Sequence, residues 1–187
     1  MSAHPSPQAK PVKTDVQMLR DEARRHIEEG AVTQGYSADR DKVLAMLNEA
    51  LATELVCVLR YRRDHFVARG LNAKVAADEF LEHATQELQH ADEIAGRIVQ
   101  LGGEPDFSPS SLTERSHSEY RLGKDVREMI RENLVAERIA IDSYRQMIQY
   151  LGNDDPTTRR MMESILAVEE EHADDLADLL QDSKKAN

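Results

Sequence analysis

Two Glu-x-x-His segments have the clearest potential for chemistry in this sequence, Glu87–His90 and Glu169–His172. Residues three apart on a helix lie on one face, so each segment can direct a carboxylate and an imidazole at a single ion. Oxygen and imidazole donors without a thiolate are typical of iron or manganese sites, with zinc as a competitor. The two segments therefore predict a metal site. A third segment of this form, Glu114–His117, lies in a loop rich in proline and serine and is interpreted as accidental.

Two further glutamates, Glu54 and Glu137, interrupt rows of apolar residues at helical spacing. Glu54 continues a row that leads to Val58, and Glu137 lies between Leu134 and Ile141. An ionised carboxylate in an apolar interior is very costly unless it is paired or bound to a metal, and several carboxylates at one level repel each other. We therefore predict that all four glutamates point inward, where two divalent cations balance their charge.

The spacing of these glutamates predicts that they meet at one depth. Glu87 follows Glu54 by 33 residues, with a midpoint near Gly70, and the second pair is 32 residues apart, with a midpoint at Asn153. Residues equally far from the turn of an antiparallel helix hairpin lie at the same height. Each hairpin thus places a lone glutamate beside a Glu-x-x-His segment, and two paired hairpins gather four glutamates and two histidines.

Four long segments with apolar residues at helical spacing supply the framework for this site. A shorter helical pattern, Asp15–Glu29, precedes them, and no run alternates between apolar and polar residues as a strand would. The sequence therefore predicts an all-α fold, an antiparallel four-helix bundle with an extra short N-terminal helix. We expect a disordered tail over 1–14, the N-terminal helix and a loop over 15–38, and the bundle over 39–182. The four long helices are predicted at about Asp39–Arg69, Ala73–Leu101, Lys124–Leu151 and Pro156–Gln181.

The composition favours one acidic helical domain. Of the 187 residues, 32% are charged and 4% aromatic, and the net charge of −11 disfavours binding to nucleic acid. The single cysteine, Cys57, excludes an intrachain disulfide and a Cys-x-x-Cys metal site. It is interpreted as a small buried hydrophobe in a protein of the reducing cytoplasm. The sequence has no run of about 18 apolar residues, so we expect no membrane span.

Four segments together resemble the metal-binding motifs of bacterioferritin and of the related bacterioferritin-like Dps proteins. The resemblance extends over about residues 43–180 and implies a ferritin-like bundle with two iron ions in each subunit. The matching segments are Glu54–Tyr61, Glu87–Asp92, Leu134–Arg138 and Glu169–His172.

The resemblance also implies a role for each ligand and an activity. Fe(II) is expected to be oxidised to Fe(III) by O2 or H2O2 and to be stored as a mineral inside a hollow shell of identical subunits. The resemblance implies terminal and bridging ligands. The terminal ligands are Glu54 and His90 for one iron and Glu137 and His172 for the other, and the bridging ligands are Glu87 and Glu169.

The tyrosines and the remaining histidines are less decisive. Tyr61 lies two turns after Glu54 on the same face, where it either serves the site, by a hydrogen bond to a ligand or by donating an electron, or is a plain core tyrosine. Tyr144 is assigned to the apolar row of the third long helix. Three histidines are interpreted as solvent-facing or satisfied by local hydrogen bonds: His26, His65 and His83.

Three departures from the bacterioferritin pattern set further expectations. Leu88 stands where that family has a haem-ligating methionine, which argues against haem. The chain continues for about 15 residues after His172, which leaves no room for a fifth C-terminal helix, so a shell of twelve subunits is favoured over one of twenty-four. The archaeal and anaerobe Dps-like forms have a cysteine pair near the site, whereas this chain has only Cys57.

The same residues are compatible with other functions. A Dps-like protein that uses mainly peroxide and a manganese catalase could both use the same ligands, and the metal content would separate the second from a ferroxidase. A rubrerythrin-type peroxide reductase usually needs four further cysteines, and di-iron oxygenases are normally much longer. Compaction of DNA is disfavoured because the N-terminal segment has only two lysines, Lys10 and Lys13.

Overall fold

The computed structural model describes residues 15–70 and 73–185, with side chains described as far as residue 181. The tail predicted over 1–14 lies outside the described residues. The described ranges contain helices and loops and no β-strand, so the predicted all-α class is confirmed. None of the helices in these ranges is both long and apolar enough to cross a membrane.

Four long helices form two antiparallel hairpins, α2 with α3 and α5 with α6. Aspartates begin two of them: Asp39 accepts a hydrogen bond from the Lys42 amide and Asp125 one from the Glu128 amide. Gly152 ends α5, with a φ of 49° that favours glycine. The bounds differ from the predicted ones by a few residues. They are Arg40–Val67 for α2, Ala73–Gln100 for α3, Val126–Leu151 for α5 and Pro156–Lys185 for α6.

The N-terminal helix is shorter than the Asp15–Glu29 predicted from the pattern. Helix α1 spans Val16–Glu22 and is capped by Asp15, and a separate 3₁₀ turn follows at Ile27–Glu29. His26 between them has a φ of 51°, which interrupts the helix. Because α1 buries none of its residues, tertiary packing does not extend it, and short helices without packing are marginal.

The loop between α3 and α5 contains a one-turn helix that the sequence did not predict, α4, at Leu112–Arg115. Leu112 is buried against Ala52 and Val56 of α2. Arg115 donates to the carbonyl of Asn48 at 3.1 Å. These contacts fasten the loop to the bundle at the level of Glu54.

Apart from the small cluster around Leu112, the apolar core consists of two clusters with a polar layer between them. On α2, Val43 to Leu51 belong to the first cluster and Cys57 to Tyr61 to the second. The other three long helices show the same division. In each helix the predicted metal ligands lie where one cluster gives way to the other. The polar layer is therefore closed above and below by apolar side chains.

Candidate metal centre

Six side chains from all four long helices meet in the polar layer. Each is at most 6% exposed, although carboxylates are among the side chains that are rarely buried. They are the residues proposed from the sequence: Glu54 on α2, Glu87 and His90 on α3, Glu137 on α5, and Glu169 and His172 on α6.

These side chains form two overlapping groups of four. Within each group, one donor atom from every residue lies within 4.8 Å of the others. Glu87 and Glu169 belong to both groups, so the arrangement can hold two metal ions with two shared carboxylates between them. One group is Glu54, Glu87, His90 and Glu169, and the other is Glu87, Glu137, Glu169 and His172. His117 of the accidental segment is in neither group and contacts Ser143 instead.

Several carboxylate oxygens and one ring nitrogen of this layer have no hydrogen-bond partner among the described residues. They include both carboxylate oxygens of Glu169, Oε1 of Glu87, Oε2 of Glu137 and Nδ1 of His172. Buried polar atoms are rarely left unpaired in folded proteins because the loss of hydration is costly. Divalent cations would satisfy all of them at once, so the residues present fit a pair of metal ions.

Two tyrosines hold the lone glutamates by a reciprocal exchange. Tyr61 of α2 donates to Glu137 of α5, and Tyr144 of α5 donates to Glu54 of α2. Each tyrosine follows the glutamate of its own helix by seven residues. Tyr61 thus contacts the site, and Tyr144, assigned to the apolar row, does so too. The equal seven-residue spacing was a signal in the sequence that could have identified this role of Tyr144.

Comparison with known proteins identifies the fold and the family. The ferritin-like domain family matches residues 44–186. The chain belongs to this ferritin-like family. It is 30% identical to the bacterioferritin of Mycobacterium tuberculosis over 145 residues, which cover 74% of this chain and 84% of that protein.

Two solved structures are similar to this ferritin-like chain over most of its length. The bacterioferritin-related protein of Bacteroides fragilis, described as a dodecameric thioferritin, has a TM-score of 0.77 at 32% identity and covers 80% of this chain and 90% of its own. The bacterioferritin of Rhodobacter capsulatus, described with a metal-free dinuclear site and haem iron, has a TM-score of 0.70 at 28% identity, with coverages of 79% and 88%.

Three of the four glutamates in this centre have a raised pKa and the fourth, Glu54, a lowered one. Burial raises the pKa of Glu87 well above its usual value, and the charges of Glu169, Glu54 and Glu137 add to this. Burial likewise raises the pKa of Glu137 and of Glu169. For Glu54, burial is outweighed by hydrogen bonds from protonated Glu87 and from His90, so its pKa is lowered. Without metal, the layer therefore holds protons that divalent cations must displace.

The two candidate ligand histidines also differ in their pKa values. Burial alone would lower the pKa of His90, but its contacts with Glu169 and Glu54 raise it to about 10. Burial lowers the pKa of His172, whose Nε2 lies 2.7 Å from Oε1 of Gln86. His90 is thus charged and His172 neutral near pH 7 when no metal is bound.

His83 does not fit its interpretation as a solvent-facing or locally satisfied histidine. It is 1% exposed, and its ring stacks on His172 with the ring centroids 3.9 Å apart. Burial lowers its pKa to about 3, so the ring is neutral. The sequence did carry a signal, because His83 precedes Glu87 by four residues and so shares its helix face. By contrast, Nδ1 of His65 lies 2.7 Å from the carbonyl oxygen of Ala77 on the neighbouring helix α3.

Proposed function

We propose that this ferritin-like chain is a ferroxidase that oxidises Fe(II) to Fe(III) with O2 or H2O2 and stores the product in a hollow shell. The observation that carries the proposal is the pair of overlapping four-residue groups that share Glu87 and Glu169. Four carboxylates with two neutral imidazoles offset the charge of two divalent ions, and iron is the metal that this oxygen and nitrogen donor set suits. Membership of the ferritin-like family supports iron as the cargo.

The shared residues suggest how the ligands divide between the two ions. Glu87 and Glu169 would bridge them, because each belongs to both groups. The remaining residues of the groups would be the terminal ligands, Glu54 with His90 at one ion and Glu137 with His172 at the other.

The chain contributes positioning, charge balance and exclusion of water. When bound, two Fe(II) ions supply two electrons, which with two protons reduce O2 to H2O2 or H2O2 to two molecules of water. Tyr61 and Tyr144 orient Glu137 and Glu54 for binding. The two apolar clusters keep the ligand layer dry, which strengthens the attraction between carboxylates and cations.

A shell of twelve identical subunits is the assembly that we propose. The similar bacterioferritin-related protein of Bacteroides fragilis is described as dodecameric. Haem is not part of the proposal: Leu88 has no group that could ligate iron, and its side chain is 39% exposed. Light scattering that finds only monomers or dimers across a range of concentrations would contradict the shell.

Removal of one bridging glutamate tests the activity. Glu169→Ala is expected to abolish the fast phase of Fe(II) oxidation in stopped-flow absorbance while circular dichroism shows the helices intact. Glu171→Ala, an exposed glutamate of the same helix, is the matched control and should oxidise iron like the wild type. Equal rates in wild type and Glu169→Ala would refute the assignment. Turnover of H2O2 with manganese, and no fast oxidation of iron, would favour a manganese catalase instead.

A further inference from the structure

A second group of potential ligands lies beside the six-residue centre, nearer the protein surface. Glu79 and His83 of α3 and Asp175 of α6 bring three donor atoms within 4.8 Å of one another. Nε2 of His83 lies 3.1 Å from Oε1 of Glu79 and 3.8 Å from Oδ2 of Asp175. None of the three residues belongs to the ligand set proposed above. His83 adjoins that set, because its ring stacks on His172 and it forms a further potential group with Glu137 and His172.

The nitrogen at the middle of this group has no hydrogen-bond partner. Nε2 of His83 is buried and unpaired among the described residues, although two carboxylates are close to it. The two carboxylates are therefore close to Nε2, but neither forms a hydrogen bond with it. A buried polar atom in this state requires an explanation.

Nδ1 of His83 already has a neighbour inside the bundle. It lies 3.3 Å from the hydroxyl oxygen of Tyr61, and that hydroxyl donates its hydrogen to Glu137. Nε2 is therefore the ring nitrogen that faces the two carboxylates, and it has no hydrogen-bond partner among the described residues. A cation between Nε2 and the two carboxylates would bind all three side chains at once.

We propose that Glu79, His83 and Asp175 bind a third divalent cation in each subunit. Ligand atoms about 2.1 Å from a shared ion lie roughly 3 to 4 Å apart, and the two distances from Nε2 fall in this range. The three side chains offer one imidazole and two carboxylates, and water would complete the coordination. The charge and the donor types suit Fe(II), Zn(II) or Co(II).

The position of this site gives it a function in supplying the centre. The side chain of Asp175 is 47% exposed, that of Glu79 28% and that of His83 1%, so the ligands lead from solvent to the ring that touches His172. A cation captured by Asp175 would therefore be held one side chain away from the six-residue centre. The supply of Fe(II) by this route rests on the proposed ferroxidase function, whereas the binding of a third cation does not.

Anaerobic titration of the metal-free, full-length protein with Co(II) tests the third site. Wild type is expected to bind three Co(II) per subunit by calorimetry, and the double variant Glu79→Gln/Asp175→Asn two. The matched control is Glu82→Gln/Asp174→Asn, which makes the same charge change at exposed positions of the same two helices and should bind three. A wild type that binds two, or a double variant that binds as many ions as the wild type, would overturn the proposal.

Iron oxidation then separates this proposal from the ferroxidase assignment. In the double variant the fast phase should still saturate at two Fe(II) per subunit, but its rate at low Fe(II) should fall below that of the control variant. If the double variant loses the third Co(II) but oxidises iron at the rate of the control, the residues bind a cation but do not supply Fe(II) to the centre. Absence of fast oxidation in the wild type would instead refute the ferroxidase and leave the Co(II) count to decide the site.

Discussion

Each lone glutamate of the polar layer accepts a hydrogen bond from a tyrosine of the opposite hairpin. Tyr144 donates to Glu54, and Tyr61 donates to Glu137. Both tyrosines are at most 2% exposed, so water does not compete for these hydrogen bonds. Hydrogen bonds of this kind fix the orientation of a ligand and raise its affinity for metal.

Replacement of Tyr144 by phenylalanine removes such a bond while conserving the ring. Tyr144→Phe is expected to weaken Co(II) binding at the centre about tenfold, the usual lower limit for the loss of a residue that supports a ligand. Calorimetry on the metal-free protein measures it. Tyr150→Phe, at an exposed position of the same helix, is the control. Equal affinities in wild type and Tyr144→Phe would mean that Glu54 needs no support.

Sequence reasoning at this scale identified the six candidate ligands because charge in an apolar row is conspicuous. It did not identify the environment of His83 or the hydrogen bond of Tyr144, although their spacing from Glu87 and Glu137 carried a signal. A histidine or tyrosine is compatible with either a core or a surface position, so its type alone does not decide. Their neighbours come from other helices, His172 for the first and Glu54 for the second, and only the packing of the hairpins brings them together.

At the scale of the helices, Asp155 joins three parts of the chain where α6 begins. Its carboxylate accepts from the Thr158 amide at 2.9 Å, from Arg97 of α3 at 2.8 and 3.0 Å, and from the Tyr36 hydroxyl at 2.9 Å. Burial alone would raise the pKa of Asp155, but these hydrogen bonds outweigh it and lower the pKa. The ionised form therefore stabilises the fold.

Asp155→Asn is expected to destabilise the protein by roughly 3 kcal/mol at pH 7, because the buried Arg97 loses its counter-charge. The pKa of Asp155 is lower in the folded protein than its ordinary value of 3.8, so the ionised carboxylate stabilises the fold at any pH above 3.8. This stabilisation is lost as the pH falls through the lower pKa of the folded state. The unfolding free energies of wild type and variant should therefore differ by a constant amount near neutrality and converge below about pH 3.8.

Chemical denaturation of the two proteins across this pH range provides the measurement. Asp92→Asn, an exposed aspartate of α3, controls for the loss of one negative charge. A difference that persists undiminished at the acidic end would show that the cap acts through shape and not through charge.

Prediction of the helices depended on how much surface each one buries. The long helices were predicted within a few residues because their apolar faces repeat along most of their length. In α3 the buried residues from Ala76 to Ile98 recur over about six turns. The N-terminal pattern over Asp15–Glu29 has no buried apolar face, and its α-helix spans only Val16–Glu22. Helix α4 depends on the burial of Leu112 against α2, a contact between distant parts of the chain that no local pattern contains.

At the scale of the whole molecule, the bundle places a charged layer between two apolar clusters. The spacing of the glutamates predicted their common depth, but not the pairing of hairpins that sets α2 against α5 and α3 against α6. That pairing creates the shared positions of Glu87 and Glu169. The unpaired donor atoms of the layer are a cost to the metal-free fold that bound cations would remove.

The most direct test is stopped-flow absorbance on metal-free protein mixed with increasing Fe(II) in the presence of O2, and then of H2O2. A ferroxidase centre for two irons is expected to give a fast phase whose amplitude rises linearly and stops rising at two Fe(II) per subunit, with the Fe(III) product retained on the protein. Oxidation no faster than in buffer, or an amplitude that stops rising at one Fe(II) per subunit, would contradict a two-iron ferroxidase centre built from these six residues.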